Sequence, residues 1–76
     1  MNDNPIPHAY VVVYSTSQAI KIEKLLQERS ITSKLVPVPR QISSDCGVCL
    51  QIEGSDIDAV EEILSQALIE VQGIFH

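Results

Sequence analysis

Two amphipathic helical stripes, each preceded and followed by a strand-length apolar run, fill almost all of this 76-residue chain and leave few ways to fold it. The first run, Ala9-Tyr-Val-Val-Val-Tyr14, is β-branched and aromatic, as strands are. Ser15 followed by Gln18 has the spacing of a capping box. Ala19, Ile22, Leu25, Leu26 and Arg29 then recur at helical spacing, with Lys21, Glu23, Lys24, Gln27 and Glu28 on the polar side. A second strand is expected over residues 31–38, ending at Pro37 and Pro39, which cannot donate inside a sheet. Residues 48–52 alternate, with Val48, Leu50 and Ile52 on one face. After Gly54, Ser55-x-x-Asp58 resembles a second helix start, and Ile57, Val60, Ile63, Leu64, Ala67 and Leu68 form its stripe. Residues 69–75 read as a fourth strand.

The order βαββαβ predicts an α+β fold: a ferredoxin-like two-layer sandwich, with a four-stranded antiparallel sheet and two helices on one face. Residues 1–8 are expected to be a polar N-terminal tail, and residues 9–76 a single domain. Right-handed crossovers make strands one and two parallel and place strand three between them. Strands two and three are then a hairpin, and their connection, about residues 39–47, is longer than the usual ~2–5 residues. Its tip falls at the sheet end where the first helix begins, beside Ser15, Thr16 and Ser17.

Composition narrows the function. Five Lys and Arg against ten Asp and Glu leave a net charge of −5, and there is no Trp. Nucleic-acid binding needs cations and stacking platforms, so neither DNA nor RNA is an expected partner. Anionic membrane is disfavoured by the same charge. No apolar run approaches the ~20 residues of a membrane span, and no basic region precedes an apolar stretch near Met1. The expected location is cytoplasmic. There, two cysteines point to thiol chemistry more than to a structural staple.

Cys46 lies in a polar loop next to Gly47, where a buried inert cysteine would not be expected. An anion beside the start of a helix is favoured by the dipole and by N–H groups without helical partners. Cys46 is therefore the candidate reactive thiol. Arg40, Ser15, Thr16, Ser17, Ser43 and Ser44 are candidates to stabilise an anion on it, while Asp45 opposes one. Gly47 permits a positive φ and close approach to the sulfur. The more ordinary roles are a solvated cation for Arg40, a helix cap for one of the first three hydroxyls, and turn residues for Ser43 and Ser44.

Cys46-Gly-Val-Cys49 has C-x-x-C spacing, which admits a second thiol at Cys49. Three residues of extended chain span ~10 Å, and a disulfide needs Cα atoms within ~7 Å. Such a pair would close only through a turn at Gly47. Cys49 also has opposite parity to Leu50, so it should face away from the helices as a small apolar residue. No metal site is expected: zinc takes four ligands, and beyond the two cysteines only His8 and His76 remain, at opposite chain ends. No cofactor is implied.

Several local features together carry a resemblance. The strand end at Tyr14 passes through serines into a helix containing Ala19 and Glu23-Lys-Leu-Leu26. Pro37-Val-Pro-Arg40, Ser43-Ser44 and Cys46-Gly47 follow. These residues are similar to a small bacterial family of selenium/sulfur carrier-like proteins. The resemblance covers about residues 10–74. It implies the ferredoxin-like fold, a family cysteine at Cys46 and a family arginine at Arg40, and it implies that Cys49 occupies a position often held by a small residue. Three functions fit. The first is a sulfur or selenium carrier that holds a persulfide on Cys46 and exchanges it with donor and acceptor proteins, acting as a carrier more than as a stand-alone enzyme. The second is a thiol redox or sensor protein using Cys46 and Cys49. The third is a non-catalytic interaction module. A homodimer through the open, apolar sheet face is compatible with each.

Overall fold

Residues 8–42 and 46–75 are described by a computed structural model. Their elements are β1 (His8–Val12), α1 (Thr16–Glu28), β2 (Ser33–Pro37), β3 (Val48–Glu53), a 3-10 turn (Gly54–Asp56) running into α2 (Ile57–Gln66), and β4 (Gly73–Phe75). The sheet order is β2-β3-β1-β4, and every neighbouring pair is antiparallel. β1 and β2 are therefore parallel with β3 between them, as the crossover rule requires. This is the expected ferredoxin-like α+β sandwich.

Alternation along the strands divides the apolar residues between two faces. Ala9, Val11 and Val13 join Leu50 and Ile52 in a cluster with Ala19, Ile22 and Leu26 of α1 and Val60, Ile63 and Leu64 of α2. Each fully buried Leu or Ile there stabilises by about 1.5–3 kcal/mol. Val12 and Cys49, paired across β1 and β3, are wholly buried yet lie outside that cluster, on the other face. At β4, the Phe75 ring lies across Gly73, the partner of Val12: a Cβ on Gly73 would sit 2.9 Å from Phe75 Cε1. The central apolar residues of the open face are thus already out of solvent without a second copy of the chain.

The two helices end alike, and this shortens two of the expected strands. After α1, Ser30 takes φ 60 and the Ile31 N–H donates to the Leu26 carbonyl at 2.9 Å. After α2, Leu68 takes φ 57 and the Ile69 N–H donates to the Leu64 carbonyl at 2.9 Å. These six-residue closures satisfy the last helical carbonyls. They also commit the N–H groups of Ile31 and Ile69, so β2 begins at Ser33 and β4 only at Gly73. Ile31, Ile69 and Val71 still pack on the core. A leucine in left-handed backbone costs about 1 kcal/mol.

Three further boundaries differ from expectation. His8, assigned to the tail, pairs with Glu53 and begins β1, while Val13 and Tyr14 continue past its end. Ser55 and Asp58 do not cap α2: Asp56 precedes it without a side-chain cap bond, because the chain enters through the 3-10 turn. Ala67 and Leu68 belong to the closing turn, so the helix stops at Gln66.

Candidate functional site

The amino end of α1 is built by two side chains. Ser15 is extended and its Oγ accepts from the Gln18 N–H at 3.1 Å. Gln18 reaches back, its Oε1 accepting from the Tyr14 N–H at 2.8 Å. In a capping box the return bond goes to the cap residue itself; here it goes one residue earlier. Gln18 Nε2 also donates to the Glu70 carbonyl at 2.7 Å, which ties the first turn of α1 to the connection between α2 and β4.

Cys46 comes to this turn from the other side. The Val38 N–H donates to the Gly47 carbonyl at 3.1 Å, which continues the β2–β3 ladder one step past Pro37 and Val48. The hairpin loop is therefore residues 39–46, with Cys46 at its return. Its Sγ lies 3.8 Å from Thr16 Oγ1, and either group can be the donor. Thr16 opens the helix, where N–H groups have no partner within the helix. Cys46 is half-buried and packs against the helix-side core. Gly47 takes φ +84 and has open space where a Cβ would be. One side of the sulfur thus meets apolar core and another meets the helix start.

The remaining predicted residues divide. Ser15 is occupied as the cap. Ser17 turns to a groove with Tyr14, Lys21 and Leu68. Arg40 is exposed, at the second position of a turn closed by the Ile42 N–H donating to the Pro39 carbonyl at 3.0 Å. Ser43 and Ser44, with Asp45, lie outside the described residues.

Cys49 is in a different setting. It is wholly buried between Val12 and Val36 on the face away from the helices, and it is not bridged to Cys46. Burial pushes its thiol pKa up, and the neighbouring Cys46 raises it further. A buried protonated thiol is a poor resolving nucleophile. Among the described residues, no group of three or more His, Cys, Asp or Glu side chains could hold a metal ion. No helix among them is long and apolar enough to cross a membrane.

A model of the family described as "Putative Se/S carrier protein-like" matches residues 8–76. The chain belongs to this family. No curated protein and no solved structure matches it. The description of this Se/S carrier-like family suggests a carrier of selenium or sulfur. Within this family member, residue spacing identified Ser15 and Gln18 as a cap but missed the strap from Gln18 to Glu70, because a 52-residue separation leaves no local pattern. The packing of Cys46 on the helix side had a signal: it shares parity with Val48, Leu50 and Ile52.

Proposed function

We propose that the protein carries sulfur, or its selenium analogue, on Cys46 and passes it between partner proteins. The observation that carries the proposal is the half-buried Cys46 Sγ at 3.8 Å from the hydroxyl of Thr16, the first residue of α1. In the transfer, the Cys46 thiolate attacks the outer sulfur of a donor cysteine persulfide. A Cys46 S–S bond forms, the donor S–S bond breaks, and the donor cysteine leaves as a thiolate. Cys46 then holds a persulfide, whose terminal sulfur is anionic when deprotonated.

In this reading Thr16, and the first-turn N–H groups that have no acceptor within the helix, receive that charge. Arg40 supplies a cation in the same loop, and open space beside Gly47 admits the partner's sulfur. The core packed under Cys46 shields the bond from solvent on one side. Family membership supports the same class of activity. A Cys46–Cys49 redox pair is the weaker reading, because the two thiols project to opposite faces of the sheet.

The test is mass spectrometry after incubation with a persulfide-charged cysteine desulfurase. The peptide containing Cys46 should gain one sulfur atom, Cys46→Ser should gain none, and Cys49→Ala should load normally. Failure of Cys46 to load from any of several donors would remove the proposal. Loss of loading in Cys49→Ala would restore the dithiol reading.

A further inference from the structure

A cysteine persulfide has two electrophilic sulfurs, and an attacking thiolate can choose either. Attack on the outer sulfur moves it to the attacking thiol and returns the carrier cysteine as a thiolate. Attack on the inner sulfur leaves a disulfide on the carrier cysteine and expels the outer sulfur as hydrosulfide. The surroundings of Cys46 discriminate between the two.

Displacement at sulfur runs in line with the bond that breaks, so a thiolate attacking Sγ must come from the side opposite the outer sulfur. Cys46 is half-buried and packs against the helix-side core. A donor delivers sulfur from the exposed side, and the new S–S bond therefore points outward. The line behind Sγ then runs into packed core, where no external thiolate can stand. The chain's other cysteine cannot stand there either. Cys49 is 0% exposed and sits between Val12 and Val36 on the face of the sheet away from the helices. The bond from the Val38 N–H to the Gly47 carbonyl, at 3.1 Å, and the pairing of Val48 with Pro37 hold the intervening backbone in the ladder. Side chains that point apart in this way are not bridged without backbone movement. Burial also pushes the Cys49 thiol pKa up, which keeps it protonated.

We propose that the packing of Cys46 and the seclusion of Cys49 restrict a Cys46 persulfide to discharge through its outer sulfur, so that the reaction consuming it is transfer of sulfane sulfur to an external thiol and not release of sulfide. This rests on the carrier reading of Cys46 and adds the class of reaction that must follow it. In that step the acceptor thiolate attacks the outer sulfur, an S–S bond forms on the acceptor, the Cys46 S–S bond breaks, and Cys46 leaves as a thiolate. One persulfide replaces another, so no oxidant or reductant is consumed. Reduction to sulfide, where it occurs, belongs to a later thiol-dependent step on the acceptor.

The experiment charges the protein from a cysteine desulfurase, removes the donor, and follows the loaded protein anaerobically in two arms. In the first it is left alone, either native or in concentrated urea. Urea frees Cys49 to attack Sγ, which should give a Cys46–Cys49 disulfide and hydrosulfide; the native protein should form them about a thousand-fold more slowly, the scale of global opening. In the second arm one equivalent of glutathione is added to the native protein, and the products are trapped with iodoacetamide and weighed by mass spectrometry. Glutathione should gain the sulfur, with the mixed disulfide of Cys46 and glutathione a minor product. Native closure of the Cys46–Cys49 disulfide within about ten-fold of the urea rate would overturn the inference. So would the mixed disulfide as the main product, and in both cases the carrier reading would survive. A wild type that takes no sulfur from the desulfurase removes that reading, and the inference with it.

Discussion

Cys46 and Cys49 stand three positions apart but should react with iodoacetamide at rates that differ by about a thousand-fold or more. Cys49 is 0% exposed, and β3 is bonded on both sides, to β1 and to β2. An alkylating agent reaches its sulfur only when the central strand leaves the sheet, which amounts to unfolding the domain. At roughly 0.05–0.15 kcal/mol per residue, a chain of this size has about 4–11 kcal/mol of stability. The lower figure already holds the open population near one in about a thousand, at 1.4 kcal/mol per factor of ten. The raised pKa of Cys49, from burial first and from Cys46 second, slows it further. Cys46 is half-buried in a loop and needs only side-chain motion. The assay is a timed pulse of iodoacetamide on the native protein at neutral pH, followed by peptide mass spectrometry. Rates within ten-fold of each other would refute the reasoning, because they would mean that β3 opens without global unfolding.

Two further outcomes follow from the same structure. The Cys49 thiol has a folded-state pKa above its ordinary 9.0, so as pH rises the unfolded chain loses this proton first. Its contribution to stability is therefore complete below about pH 9 and is lost as pH climbs from there through the folded pKa, at up to about 1.4 kcal/mol per pH unit. Urea unfolding at neutral and alkaline pH should show a shallower alkaline decline for Cys49→Ala than for wild type; parallel declines would contradict the burial argument. Gln18→Ala loses its bonds to the Tyr14 N–H and the Glu70 carbonyl and should cost about 1–3 kcal/mol, measured by thermal melts. Gln18→Glu keeps the first bond but sets an acceptor against the Glu70 carbonyl, so it should recover only part of the loss; a Gln18→Ala melt equal to wild type would show that the strap holds nothing.

Much of the fold was legible because its determinants are local. The stripe from Ala19 to Leu26 has helical period, and Leu50 and Ile52 alternate as a strand must, so element type and order follow directly. The errors gather at helix ends. Ile31 and Ile69 look like strand residues by side chain, but their N–H groups close the preceding helices, a choice visible only in the backbone path through Ser30 and Leu68. On the open face, Val12 and Cys49 are wholly buried, with Phe75 laid over Gly73 beside Val12, a covering that alternation along the strands does not reveal.

By itself, the sequence determined the βαββαβ order, the placement of β3 between its neighbours, and therefore that a loop cysteine and the start of the first helix share one end of the sheet. Periodicity and the handedness of crossovers are sufficient for that, since both act through the backbone alone. The tertiary structure alone decided which hydroxyl meets the sulfur: Ser15 is taken by the cap, Ser17 turns to the groove, and Thr16 is left facing Cys46. It also decided that Gln18 is tied to Glu70 and that Leu68 stands in solvent. Contacts of this kind depend on rotation about single helices and on bonds between residues far apart in the chain, and no local pattern of residue types encodes either.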